Sequence, residues 1–89
     1  MNMTMTNNEI ISKKMNDVIH CLAELARRGC TITTVEIKDG KPRITIASFH
    51  KTPGGLRGGT LTRIKQGDRR LETYATELNG CQVMWKIPA

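Results

Sequence analysis

Gly54 and Gly59 stand five residues apart, with Thr60 next, which is the glycine spacing of a phosphate-cradling loop. That chemistry needs G-x-x-x-x-G-K-[ST], in which the lysine reaches the phosphates and the hydroxyl meets the metal. Here the lysine is missing, no strand runs directly into the glycines, and no helical pattern follows them. Arg57-Gly58-Gly59 has the form of one arginine–glycine repeat, but such repeats bind RNA by multiplicity and this one stands alone. Nucleophilic catalysis would need a cysteine or serine beside a base and an orienting group. His20 and Cys21 are sequence neighbours on a helical stretch, so their side chains point about 100° apart. His50 opens the glycine loop with no acidic partner near it.

Metal chemistry fares no better. Cys21, Cys30 and Cys81 form no C-x-x-C pair, and His20 and His50 do not complete a zinc-ligand spacing. Glu36, Glu72 and Glu77 fall on strand-like segments, where cross-strand pairing or solvent accounts for them. No pair of carboxylates is spaced for acid–base work. The sequence therefore predicts a protein that is not an enzyme, with no catalytic residues, no metal and no cofactor.

What remains is charge. His50–Arg70 holds five of the chain's eight glycines and six cations against one Asp, five of the net +6 charges. The candidate partner-binding residues are Lys51, Arg57, Arg63, Lys65, Arg69 and Arg70. A flexible basic loop suits an anionic partner. It carries no obvious base reader: only Phe49, Tyr74 and Trp85 are aromatic, and Tyr74 and Trp85 read as core. One helix cannot make a helix-turn-helix pair. Binding to nucleic acid would be to backbone, and salt-sensitive.

The elements that must position this loop are legible on both sides of it. Ile11, Met15, Val18, Leu22 and Leu25 recur at three and four, predicting an amphipathic helix over about 8–28. Thr6 with Glu9 forms a capping box, Asn8 is a competing cap, and Gly29 closes the far end. The remainder reads as strands. Asp39-Gly40 predicts a two-residue turn setting Val35 opposite Ile44, Thr33 opposite Ile46, Ile37 opposite Pro42, Glu36 opposite Arg43 and Thr34 opposite Thr45. Asn79-Gly80 predicts a second, setting Leu78 opposite Cys81, Thr76 opposite Val83, Tyr74 opposite Trp85 and Glu72 opposite Ile87. Each hairpin has one apolar and one wet face. Residues 60–66 alternate out of phase and could turn back at Gly67-Asp68 as a fifth strand, while 50–59 read as a loop.

The expected fold is α+β: one N-terminal amphipathic helix packed on an antiparallel sheet of four to five strands built from hairpins. Residues 1–7 are expected to be a flexible N-terminus and 8–89 a single domain. Eighty-nine residues with 38% hydrophobic content suit one small domain with a thin core. The odd cysteine count, the polar start MNMTMTNNEI and the lack of a 20-residue apolar run predict a cytoplasmic chain with reduced thiols and no membrane partner.

The layout, and the closing segment Leu78-Asn79-Gly80-Cys81-Gln82-Val83-Met84-Trp85-Lys86, resembles small orphan proteins of bacteriophages and other bacterial mobile elements. Anti-CRISPR proteins are among these. The resemblance implies a stoichiometric inhibitor or adaptor of a host protein or ribonucleoprotein. The alternative is a module that contacts the nucleic-acid backbone without reading sequence. Apart from the resemblance, the chain is expected to be a monomer or a weak homodimer, an exposed sheet edge being the place where two copies could pair.

Overall fold

The computed structural model describes residues 6–37, 39–48, 50–66 and 69–88, with the side chains of 60–69 outside that description. The elements run α1 (Asn7–Arg27), β1 (Thr31–Glu36), β2 (Arg43–Ala47), a 3-10 turn (Pro53–Gly55), β3 (Gly59–Gln66), β4 (Arg69–Leu78) and β5 (Cys81–Pro88). The class is α+β, one helix on one sheet. Residues 1–5 of the expected flexible N-terminus lie outside the described residues, whereas Thr6 and Asn7 already belong to the helix start.

The helix begins and ends where its sequence directs. Thr6 is the cap, and its Oγ1 accepts a 3.2 Å hydrogen bond from the Glu9 amide. At the other end Gly29 adopts φ +77°, its amide bonds to the Ala26 carbonyl at 3.0 Å, and Cys30 N reaches the Leu25 carbonyl at 2.9 Å. This paired closure satisfies carbonyls that the last turn would leave open. The helix buries Val18, Cys21 and Leu25.

The five strands lie in the order β1-β2-β5-β4-β3. The β4–β5 hairpin has the register expected from Asn79-Gly80, including Tyr74 with Trp85 and Glu72 with Ile87. Asn79 (φ 50°) and Gly80 (φ 79°) both take the left-handed backbone that a type I′ turn demands. The β1–β2 hairpin keeps Val35–Ile44, Glu36–Arg43 and Thr34–Thr45, but a bulge replaces the Thr33–Ile46 pair with Ile32–Ile46. Thr33 instead sends its hydroxyl to the Thr45 carbonyl at 3.1 Å. Its ladder stops at Glu36–Arg43, so Ile37 and Pro42 belong to a wider loop. A second bulge, between Thr60 and Thr62, explains the broken alternation of β3. Gly67 and Asp68 lie outside the described residues.

The sheet is mixed, a departure from the expected antiparallel one. β2 and β5 run parallel, with Ile44 opposite Val83, and the Gln82 amide bonds to the Pro42 carbonyl at 2.8 Å. Pairing one hairpin's second strand with the other's second strand brings their apolar faces into one surface. The core is Ile44, Ile46, Tyr74, Cys81, Val83, Trp85 and Ile87 from the sheet, the three helix residues, and Leu56. Tyr74 and Trp85 stack at 6.0 Å and 10° between planes. The Trp85 indole N–H is buried with no partner among the described residues, a cost of about 1–3 kcal/mol that its packing offsets.

This strand order forces a crossover. β2 and β3 run parallel with β5 and β4 between them, so residues 50–58 must cross a face of the sheet. They cross the helix side, which explains how Pro53 and Leu56 become buried.

Candidate partner-binding surface

The crossover is the basic glycine loop, and it is fastened to the core. The expectation of a flexible loop is corrected here for 53–58. Pro53 and Leu56 are buried, and the Leu56 amide closes the 3-10 turn on the Pro53 carbonyl at 2.9 Å. Arg28 donates from Nη1 to the Gly54 carbonyl at 3.1 Å, tying the loop to the helix C-terminus.

Two glycines are where they are because nothing larger fits. A Cβ on Gly54, which sits at φ +57°, would fall 2.7 Å from Cys30 Sγ and 2.9 Å from Arg28 Cβ. A Cβ on Gly58 would fall 2.3 Å from the Ala75 carbonyl oxygen and 3.0 Å from the Trp85 ring. Gly54 and Gly58 are thus close-approach points, the first against Arg28 and Cys30, the second letting the crossover lie flat on Trp85 and β4. Gly59, the other glycine of the phosphate-loop spacing, meets nothing within 4 Å.

Fastening the backbone leaves the charges outside. Lys51, Arg57 and Arg70 are exposed. Arg63, Lys65 and Arg69 have described backbone positions only, and their side chains lie outside the described residues. In the β3–β4 ladder Arg63 is opposite Glu72, Lys65 opposite Arg70, and Gln66 opposite Arg69. The last two pairs lie past Leu71–Pro88, where β5 ends, so the cationic end of this hairpin runs beyond the rest of the sheet. The molecule measures 56 × 28 × 19 Å, and its radius of gyration of 15.0 Å exceeds the ~12 Å of a compact chain this long.

Other charges are spoken for. Glu24 accepts from Arg27 Nε at 3.0 Å and from Arg28 Nε at 3.0 Å. The hydrogen bonds from Arg27 foremost, then Arg28, hold its carboxyl down at about 2. Lys41 pairs with Glu77 across the outer face, beside an open cleft lined by Asp39, Arg43, Thr76 and Gln82. Tyr74 donates its hydroxyl to Glu72 at 2.5 Å. The hold of Arg28 on Gly54 is not legible in the sequence. No local pattern signals a contact 26 residues away, and only a long-range pairing could have disclosed it.

The thiols are not poised for reaction. Cys21 and Cys81 are buried side by side in the core, and burial, reinforced by Cys81, pushes the Cys21 thiol up to about 12. Burial raises Cys30 and Cys81 as well. Among the described residues no group of three His, Cys, Asp or Glu could hold a metal ion. Among them too, no helix is long and apolar enough to cross a membrane.

A family model described as the Kil protein family matches residues 10–86, nearly the whole chain. The chain belongs to the Kil protein family. The Kil family consists of small phage-type proteins, which agrees with the phage resemblance of the sequence. The match runs from the first turn of α1 into β5, as far as Lys86, and includes the crossover. No curated protein and no solved structure matches the chain.

Proposed function

We propose that this Kil-family protein works without catalysis, as a stoichiometric inhibitor or adaptor that binds a host protein or ribonucleoprotein. The binding surface is the outer side of the crossover with the β3–β4 hairpin: Lys51, Arg57, Arg63, Lys65, Arg69 and Arg70. One observation carries this reading. The crossover is anchored at Pro53, Leu56 and Gly58, yet Lys51, Arg57 and Arg70 remain exposed. An anchored backbone loses less conformational freedom on binding than a mobile one, so charge displayed this way suits a defined protein surface. A defence ribonucleoprotein of the CRISPR kind is the narrowest form of the proposal. A CRISPR target is supported by the phage family and the cationic display together, and by neither alone.

Capture from bacterial lysate at physiological salt tests the proposal, using wild type beside a variant with Arg63, Lys65, Arg69 and Arg70 changed to Glu. A saturable one-to-one partner retained by wild type and lost by the variant is the expected result. Recovery of no partner, or of the same partner by both, would sink it.

A second reading rests on the ladder itself. Lys65 opposite Arg70 sets two cations together on one face of the ladder, with Arg63 two residues along β3 on the same face, a density that suits consecutive phosphates. Affinity for generic duplex or single-stranded nucleic acid would then fall steeply with salt, in proportion to the phosphates contacted. Absence of a mobility shift even at low salt excludes this reading and leaves the first standing.

A further inference from the structure

The β1 side of the molecule has a different character from the cationic hairpin. β1 is an edge strand, and no strand among the described residues covers its outer edge. Val35 lies opposite the buried Ile44 and so faces the helix layer, yet it is 40% exposed, and Ile37 beyond it is 37% exposed. The helix directs Asp17 toward Gly80, where a Cβ would fall 2.9 Å from Asp17 Oδ2, and its His20 carbonyl accepts from Asn79 at 3.3 Å. That flank therefore faces the β4–β5 turn, and the opposite flank borders β1. At 100° per residue the β1 flank holds Ile11, Ser12, Met15, Asn16, Ile19 and Ala23. Ile11, Met15 and Ile19 are 42%, 50% and 59% exposed. Of the helix's charged residues only Glu9 and Arg27 reach its rim, about 20° beyond Asn16, and Arg27 is paired with Glu24; the others fall on the other half.

We infer that this wall is where two copies of the chain associate. Each copy would pair its β1 edge antiparallel with the other's, about a two-fold axis perpendicular to the sheet. That axis keeps both helices on the same side and lays their uncharged flanks next to each other. Charge selects the occupant. A chain of net +6 repels its own copy over most of its surface, but the helix flank of this wall meets a cation only at its rim, where Arg27 is already paired with Glu24. Glu36 is the sole charge within β1, and antiparallel pairing sends the two Glu36 residues to opposite ends. The other free edge, β3, carries Arg63 and Lys65 and would set cation against cation. Size agrees. A 21-residue helix is about 31 Å long, and the molecule is 19 Å in its thinnest direction. The wall thus offers on the order of 600 Å² per copy, the lower end of specific interfaces. An interface of this size suits a weak dimer whose population depends on concentration.

Sedimentation equilibrium from about 1 µM to about 1 mM tests the inference. Wild type should pass from 9.9 kDa to twice that mass. Ile19→Lys with Ala23→Lys, and Ile19→Glu with Ala23→Glu, should each weaken dimerisation at least about tenfold, since like charges would face each other. Mixing the two variants should restore a one-to-one heterodimer. Both positions are exposed, and unchanged circular dichroism would show the folds intact. Should either variant fold poorly, wild-type amide exchange decides: the amides of Thr33–Glu36 should gain protection as concentration rises. The inference is overturned by a wild type that stays monomeric throughout, as it would if some other protein covers this wall. It is equally overturned by variants that still dimerise alone, or by β1 amides whose exchange ignores concentration.

Discussion

Gly58 shows how a residue read as a sign of flexibility can be a packing requirement. Its glycine-rich neighbourhood promises a loose loop, because local sequence reports conformational freedom and not what lies across the contact. The Ala75 carbonyl and the Trp85 ring leave no room for a methyl group. Gly58→Ala should therefore destabilise by roughly 1–3 kcal/mol, the usual range for overpacking. Gly59→Ala meets nothing within 4 Å and should stay within about 0.5 kcal/mol of wild type. Urea titration of the two variants measures the difference, and equal midpoints would refute the close approach. The thiols make a second prediction at this scale. The Cys21 thiol is raised to about 12, so the folded state holds a proton that the unfolded chain releases near 8.5. Stability from this group is complete below about pH 8.5 and is lost as pH rises toward 12. Urea midpoints should fall across that window in wild type, and less so in Cys21→Ala once its lower starting stability is subtracted.

At the level of elements, the legible parts were the local ones. The helix ends were written in Thr6 and Gly29, and the β4–β5 register in Asn79-Gly80, because caps and tight turns are decided within a few residues. The β1–β2 register was legible for three pairs and then slipped at Thr33, where a bulge depends on tertiary fit. The parallel β2–β5 pairing was invisible for a related reason: both strands present suitable apolar faces, and sequence does not say which edges meet. Arg28 joins two such elements, holding Glu24 on its own helix and Gly54 on the crossover. Arg28→Ala should cost about 1 kcal/mol and loosen residues 53–56, seen as faster amide exchange at Gly55 and Leu56. Glu24 adds a pH signature. Its folded value is depressed to about 2 by Arg27 and Arg28, so its stabilisation is present above about pH 4.3 and is lost as pH falls toward 2. Arg28→Ala should flatten that acid limb without abolishing it, because Arg27 remains.

For the whole molecule, the question is whether the cationic end and the core are separable. The core gathers where α1, the crossover and the β2–β5–β4 strands meet, while the hairpin end runs past β5. The six candidate residues were legible as a set from charge alone. Their division into an anchored loop and an extended hairpin was not, since it follows from a crossover that only the strand order requires. Changing Arg63, Lys65, Arg69 and Arg70 to Glu moves the charge by two at each position, taking the chain from +6 to −2. Self-repulsion grows with the magnitude of net charge, so the variant is relieved of some of it. Each replacement lies away from the buried cluster and should contribute within about 0.5 kcal/mol. The variant should thus unfold within about 2 kcal/mol of wild type in urea while losing its partner. A fold that collapses on this reversal would show that the hairpin cations hold the sheet together, and the binding surface would have to be sought elsewhere.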